Sequence, residues 1–170
     1  MNYPSAGKPL YRFAVISDTH LKLAENEQRN IWSTHQLATE RTRFAVAQLQ
    51  EIEPAFVIHL GDMIHPVPGM PDYAATAEQF TTVFAPLQCP LYTLPGNHDI
   101  GDKPGPTQPA QTVSSGTVAA FAEQFGEGYG AFSHEGCRII MINNPVFNSG
   151  LPYEEAQWSW LEKELQSNRE

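Results

Sequence analysis

Three segments of this chain carry residue types that commonly bind metal ions. The first contains Asp18 and His20, the second contains Asp62, and the third contains Asn97 and His98. Carboxylate and amide oxygens combined with imidazole nitrogens suit manganese, iron or zinc better than calcium or magnesium. A carboxylate that bridges two cations holds them about 3.5–4 Å apart, which is the spacing of a two-metal hydrolytic site. These residues therefore predict chemistry at bound divalent cations.

Each of the three segments follows a short apolar run that is typical of a buried β-strand. The runs cover residues 12–17, 55–60 and 90–94, with helical patterns between them. Alternating strands and helices predict an α/β fold with parallel strands. Because ligands bind where the carboxyl ends of parallel strands lie side by side, we expect the segments to converge on one site. Asp62 follows the middle run, and we expect it to lie between the other two segments.

The remaining patterns predict the elements around these strands. Residues 100–116 are rich in Gly, Pro, Ser and Thr, which favours a flexible loop. The last helix is amphipathic and should place Trp158, Leu161 and Leu165 on one face. We predict helices over 33–51, 73–84, 117–125 and 153–165, and a hairpin with strands over 129–132 and 138–142.

Composition narrows the range of functions. The 170 residues carry a formal net charge of −9, which argues against unaided binding to nucleic acid or to an anionic membrane. The two cysteines, Cys89 and Cys137, form no CxxC pair, so neither a zinc ribbon nor a disulfide scaffold is indicated. No apolar run is long enough for a targeting segment or a membrane span, so we expect a soluble cytoplasmic protein.

The three motifs, in this order, resemble the calcineurin-like metallophosphoesterase superfamily. The resemblance is carried by Asp-x-His at 18–20, Gly-Asp at 61–62 and Gly-Asn-His-Asp at 96–99. The segments around the last two motifs are most similar to the calcineurin-like phosphoesterase domain-containing protein subgroup. This resemblance implies one domain over residues 1–170, built as the first half of a metallophosphoesterase-type β-sandwich flanked by helices.

The resemblance also implies a reaction and a set of roles. The reaction is hydrolysis of a phosphoester by a metal-activated water at a dinuclear-type site. Asp18 and His20 would bind the first cation, Asp62 would bridge both, and Asn97 would bind the second. His98 would stay off the metals and donate a proton, a role that suits an imidazole near neutral pH. The substrate would be phosphorylated, and its identity stays open.

Further residues beside these motifs have supporting roles or alternative interpretations. Asp99 is expected to fix its loop by hydrogen bonding. His65 stands where serine/threonine phosphatases of the superfamily carry an aspartate that orients the catalytic histidine. It would therefore lie beside the ligands or the substrate, or would be a plain loop residue. We expect His59, inside the second strand, to be structural, and His35, at a helix start, to be solvated.

The superfamily completes its site with histidines from the second half of the domain. In this sequence no histidine follows His134, and residues 135–170 contain no Gly-His pair. The second cation would keep only Asp62 and Asn97, so we expect it to bind weakly unless another chain adds ligands. One alternative is a truncated or non-catalytic domain that acts as a fragment or interaction module. Another is an enzyme completed by self-association or by a complementary C-terminal half that covers an exposed apolar face.

Overall fold

Three short parallel strands carry the predicted motifs in the computed structural model, which describes residues 7–24, 33–103 and 112–168. They are β1 (Ala14–Ile16), β2 (Val57–His59) and β3 (Leu91–Thr93), and they form a sheet in the order β1-β2-β3. All pairs are parallel, with Val57 opposite both Ala14 and Leu91. The predicted α/β class and parallel strands are confirmed, and the Gly-Asp motif follows the central strand.

The helices lie close to their predicted positions, with one addition. Residues 96–99 were expected to form a loop, but Asn97 begins a single helical turn. The turn forms because the Asp99 carboxylate accepts the Gly96 N–H at 2.8 Å, which holds the first turn closed. Two 3₁₀ turns cover Ser33–Leu37 and Asn144–Val146. The helices are α1 (Ala38–Ile52), α2 (Tyr73–Phe84), α3 (Asn97–Ile100), α4 (Ser115–Phe125) and α5 (Pro152–Ser167).

The main core packs the helices α2 and α4 against one face of the sheet and anchors the motif loops. Leu21, Met63 and Ile100 come immediately after the three motifs, and each is fully buried. They join Phe80 of α2 and Phe121 of α4 in one apolar cluster. Burying such side chains is worth about 1.5–3 kcal/mol each. The preceding polar residues are therefore held near the surface, at the carboxyl end of the sheet.

A hairpin covers part of the other face of the sheet. Its strands, β4 (Gly130–His134) and β5 (Cys137–Met141), are antiparallel and turn at residues 135 and 136, as predicted. Phe132 and Ile139 of the hairpin pack against Phe56, beside β2. Phe13 and Val15, at the β1 edge, remain exposed. Part of this face is therefore apolar and open among the described residues.

The last helix makes a buried polar contact, and two side chains of its predicted apolar face are exposed. Trp158 is 47% exposed and packs against Phe147, and Leu165 is also exposed. Gln157 is the fully buried residue of α5. Its side chain accepts the Asn143 N–H at 2.7 Å and donates to the Asn143 carbonyl at 3.1 Å. This pair of bonds fixes α5 to the end of β5.

We expect Gln157→Ala to lower the free energy of unfolding by about 1–3 kcal/mol, because both backbone groups of Asn143 lose a buried partner. Gln166→Ala, on the exposed surface of the same helix, is the matched control and should change it little. Urea denaturation followed by circular dichroism measures both. Equal midpoints for the two variants would contradict this role for Gln157.

Candidate metal centre

Three of the predicted metal ligands adopt a strained backbone. Asp18, His20 and Asp62 have φ values of 57°, 43° and 54°, in the left-handed region that side-chain-bearing residues rarely enter. Such a conformation costs about 1–2 kcal/mol per residue. It is maintained because the Asp18 N–H donates to the Gly61 carbonyl at 3.0 Å and the His20 N–H donates to the Asp62 carbonyl at 2.9 Å. Strain concentrated at these residues is typical of a functional site.

The side chains of these three residues converge. His20 Nε2 lies 3.6 Å from Asp62 Oδ2 and 3.9 Å from Asp18 Oδ1. One ligand atom from each residue lies within 4.8 Å of the others. The Asp62 side chain is only 13% exposed, whereas that of Asp18 is 66% exposed. Two carboxylates and one imidazole around a partly open position fit a divalent cation of borderline character.

The third motif joins this group through Asp62. While Asp62 Oδ2 faces His20, Oδ1 accepts the backbone N–H of His98 at 3.0 Å. Asn97 precedes His98 as the first residue of α3 and is half-buried. One carboxylate therefore links the loop after β1 to the turn after β3. This is the central position that the motif order predicts for Asp62.

Asp99 holds the second and third loops together. Its carboxylate is fully buried and accepts three backbone N–H groups: from Asp62 at 2.6 Å, from Gly96 at 2.8 Å and from Met63 at 3.1 Å. Burial raises the pKa of Asp99 to about 7, against the opposing effect of these N–H donors. The side chain points into the backbone of the loops, where it positions Asp62.

The close approach of these loops requires glycine at two positions. A Cβ at Gly96 would overlap the Asp62 carboxylate and lie 2.6 Å from the Asp62 backbone nitrogen. A Cβ at Gly61 would overlap the backbone of Gly96, and Gly61 has a φ of 111°. Any side chain at either position would therefore displace the Asp62 carboxylate from its present place.

His59 forms hydrogen bonds with the loops that carry the site. Its Nδ1 accepts the Gly61 N–H at 3.2 Å, so the neutral ring carries its proton on Nε2, 3.0 Å from Thr19 Oγ1. The Thr19 hydroxyl in turn donates to the Met63 carbonyl at 2.8 Å. Burial lowers the pKa of His59 to about 3, so the ring stays neutral. This arrangement agrees with a structural role and shows what it supports: the backbone on both sides of the site.

The structure brings His65 into the site, which the sequence left open. His20, His65 and His98 each offer a ring nitrogen within 4.8 Å of the others. The ring of His98 lies 4.8 Å from that of His20 and 5.5 Å from that of His65. His98 Nδ1 is buried and has no hydrogen-bond partner in the described part of the chain. The useful signal was spacing, since His65 lies three residues after Asp62 on the paired segment where Leu21 bridges Ile64.

His134 stands apart from this group. His134 packs against the rings of Tyr11 and Phe56, in the hairpin layer. The side chain of His35 lies outside the described residues, so its expected solvation is not tested.

A cleft of about 600 Å³ opens beside the converging residues. It runs between the end of β1 and α1, and its lining includes Asp18, His20 and Arg41. Arg41 places a positive charge on a wall that is otherwise acidic and neutral. A cavity of this size beside a cation-binding group can admit a small phosphorylated ligand.

Known proteins are similar to this chain in sequence. The family model for calcineurin-like phosphoesterases matches residues 11–169. Human serine/threonine-protein phosphatase CPPED1 is 28% identical over 144 residues, which cover 82% of this chain and 43% of that protein. The 3′,5′-cyclic adenosine monophosphate phosphodiesterase CpdA of Escherichia coli K12 is 26% identical over 171 residues, which cover 97% of this chain and 54% of that protein.

A solved structure shows the same fold. Purple acid phosphatase PPD1 from yellow lupin seeds has a TM-score of 0.55 and 18% identity, over 92% of this chain and 28% of that chain. The alignments with the CPPED1 proteins of zebrafish and human span 42% and 43% of those relatives' lengths. The α/β sandwich fold expected from the sequence is confirmed.

We expect Asp99→Asn to destabilise the chain by about 1–3 kcal/mol, because an amide cannot accept all three backbone N–H groups and turns its own NH₂ toward one of them. Asp102→Asn, at a half-buried carboxylate outside the site, is the control. Denaturant unfolding in the presence of chelator measures the change without any contribution from bound metal. Equal stabilities for both variants would exclude Asp99 as the link between the loops.

Acid should destabilise the fold through His59. Its ring stays neutral in the folded chain down to about pH 3, whereas the unfolded chain takes up a proton near pH 6.5. Stability is therefore lost as the pH falls below the unfolded value. Between about pH 7.5 and about pH 5 this group alone should remove about 2 kcal/mol. His59→Gln should show a smaller loss over that interval than the wild type and His134→Gln. The measurement is the free energy of unfolding in denaturant at each pH. Parallel dependence of this free energy on pH in all three proteins would contradict the role of His59.

Proposed function

We propose that this chain, which belongs to the calcineurin-like phosphoesterase family, supplies the cation-binding and proton-donating residues of a metal-dependent phosphoesterase. The observation that carries this proposal is the convergence of Asp18, His20 and Asp62 on one position, with His98 at its side. The names of the relatives describe a serine/threonine-protein phosphatase and a cyclic nucleotide phosphodiesterase, so a phosphoester is the common substrate class.

The proposed cations would be bound by carboxylate, amide and imidazole groups of this chain. Asp18, His20 and Asp62 would hold the first cation, and Asp62 and Asn97 would contribute to the second. Manganese, iron and zinc suit this mixture of carboxylate, amide and imidazole. A bound divalent cation supplies Lewis acidity, lowers the pKa of a coordinated water and stabilises charge on phosphoryl oxygens.

The remaining groups of the site would keep the proposed ligands in position, and one of them would donate a proton. Asp62 divides its two oxygens between His20 and the His98 backbone, which keeps the proposed proton donor beside the first cation position. The His98 imidazole would donate a proton to the leaving-group oxygen. Asp99 and His59 keep the loops in place, and Arg41 in the cleft would face the negative charge of a bound phosphoester.

We further propose that ligands outside the described residues complete the second position, because two protein ligands bind a divalent ion weakly. The exposed apolar side chains Phe13, Val15 and Leu60 support a covering partner, either another copy of the chain or a complementary C-terminal half. In the second case, residues 1–170 would form the N-terminal part of the domain. No observation favours the alternative, a non-catalytic interaction module.

The proposed setting is cytoplasmic. Cys89 and Cys137 are not joined in a disulfide, which agrees with a reducing compartment. Within the described ranges, no helix has both the length and the apolar character to cross a bilayer. The net charge of −9 argues against nucleic acid as the ligand. A phosphorylated small substrate is compatible with it, because a bound cation inverts the local electric field at the site.

We expect Asp62→Asn to weaken manganese binding at least about tenfold and to abolish hydrolysis of an aryl phosphate, since the central carboxylate serves both cation positions. His98→Asn should retain the tight manganese site while lowering the rate about 10²–10⁴-fold. Glu40→Gln, on the exposed surface of α1, is the control for loss of a carboxylate. Elemental analysis after dialysis against manganese, together with the rate of aryl phosphate hydrolysis, measures these effects. Unchanged metal content and unchanged hydrolysis in Asp62→Asn would disprove the proposal.

A further inference from the structure

We propose that His20, His65 and His98 form a second, all-nitrogen binding site for a zinc-like ion, which overlaps the carboxylate-containing site through His20. This part of the inference concerns metal binding by the chain itself. Its consequence, inhibition through capture of His98, rests on the proposed function. The ion would hold the imidazole that otherwise donates the proton.

The three histidine rings are close enough together to bind one metal ion. The three histidines come from three different segments, after β1, after β2 and within α3, and a ring nitrogen of each lies within 4.8 Å of the others. Zinc–nitrogen bonds of about 2.0–2.1 Å place tetrahedral ligand atoms about 3.4 Å apart. Small rotations of half-buried side chains close the difference. Three protein ligands leave a fourth position for water, as in many zinc sites.

Hydrogen bonds from the backbone hold in place the three segments that carry these rings. The His20 N–H donates to the Asp62 carbonyl at 2.9 Å, and the His65 N–H donates to the Leu21 carbonyl at 2.9 Å. The His98 N–H donates to Asp62 Oδ1 at 3.0 Å. The trio is therefore organised before any ion arrives, which lowers the entropic cost of binding.

The ring of His98 has an unsatisfied nitrogen that a metal ion could bind. Its Nδ1 atom is buried, and no hydrogen-bond partner for it exists among the residues described. A buried ring nitrogen without a partner loses hydration and gains nothing in return. A metal ion bound by the histidine trio would satisfy the ring directly, or would fix its orientation if the other nitrogen is the ligand.

Donor chemistry separates the two overlapping sites. Asp18, His20 and Asp62 offer two hard oxygens and one nitrogen, which suits manganese. The histidine trio offers three neutral nitrogens, which favours zinc, nickel or copper over manganese. Because His20 belongs to both sets, an ion in the histidine trio competes for a ligand of the proposed catalytic cation. His65 belongs to the histidine trio alone. Its substitution therefore tests whether the all-nitrogen site exists.

The binding test uses the full chain, stripped of cations by chelator and then dialysed free of it. Zinc affinity is measured by competition with a chromophoric chelator, and cobalt absorption reports the coordination geometry. His65→Asn and His65→Gln should each weaken zinc binding at least about tenfold and remove the intense tetrahedral cobalt bands. The control is His134→Asn, because His134 lies in the hairpin and should leave zinc affinity as in the wild type.

Manganese affinity, followed by electron paramagnetic resonance, should be the same in the wild type and both His65 variants. Thermal unfolding establishes that both variants are folded. Zinc affinity equal to that of the wild type in either folded variant would overturn the inference. An equal loss of manganese and zinc affinity would also overturn it, since it would mean a single shared site.

A kinetic arm separates this inference from the proposed function. In manganese-loaded protein, zinc should inhibit hydrolysis of an aryl phosphate. The half-inhibitory zinc concentration should rise at least about tenfold in the His65 variants, relative to the activity of each variant without zinc. Zinc binding that depends on His65 in a chain without hydrolysis would support the second site and count against the proposed function. Hydrolysis with zinc inhibition that ignores His65 would support the function and overturn the inference.

Discussion

A single buried carboxylate, that of Asp99, connects the parts of this site, and the arrangement of the other ligands depends on it. It accepts backbone N–H groups from the loops after β2 and β3, all within 3.1 Å. Buried backbone N–H groups need an acceptor, and two donors cannot bond to each other, so the Asp99 carboxylate between the loops serves donors from both. The position of Asp62 follows from this link, and the position of His98 follows from Asp62.

Backbone strain and side-chain burial act in opposite directions on the candidate metal ligands. Asp18, His20 and Asp62 occupy left-handed backbone conformations, which favour relaxation of the loops. Leu21 and Met63 oppose that relaxation, because leaving the loop geometry would withdraw fully buried side chains from the core. The two effects are coupled along the chain. His20 directly precedes the buried Leu21, and Asp62 directly precedes the buried Met63. This explains how a site built on loops can be rigid.

The same loops place two donor sets of different character around one histidine. His20 faces the Asp62 carboxylate on one side and the ring of His98 on the other. The oxygen-containing set and the all-nitrogen set therefore differ in the ions they prefer while sharing a ligand. A protein with such a site would respond to which cation is available as well as to its concentration.

Sequence alone determined the ligand types, their order and the strands that precede them. The convergence of Asp18, Asp62 and His98 was predictable, because parallel strands bring their carboxyl ends to one edge of a sheet. The single turn at Asn97, the inclusion of His65 and the buried contact of Gln157 in α5 were not predictable, and Trp158, on the predicted apolar face of α5, is half exposed. Local patterns report which residues are apolar or can coordinate a metal. Which of them meet depends on loop geometry and packing between distant segments, and only the tertiary structure decides that.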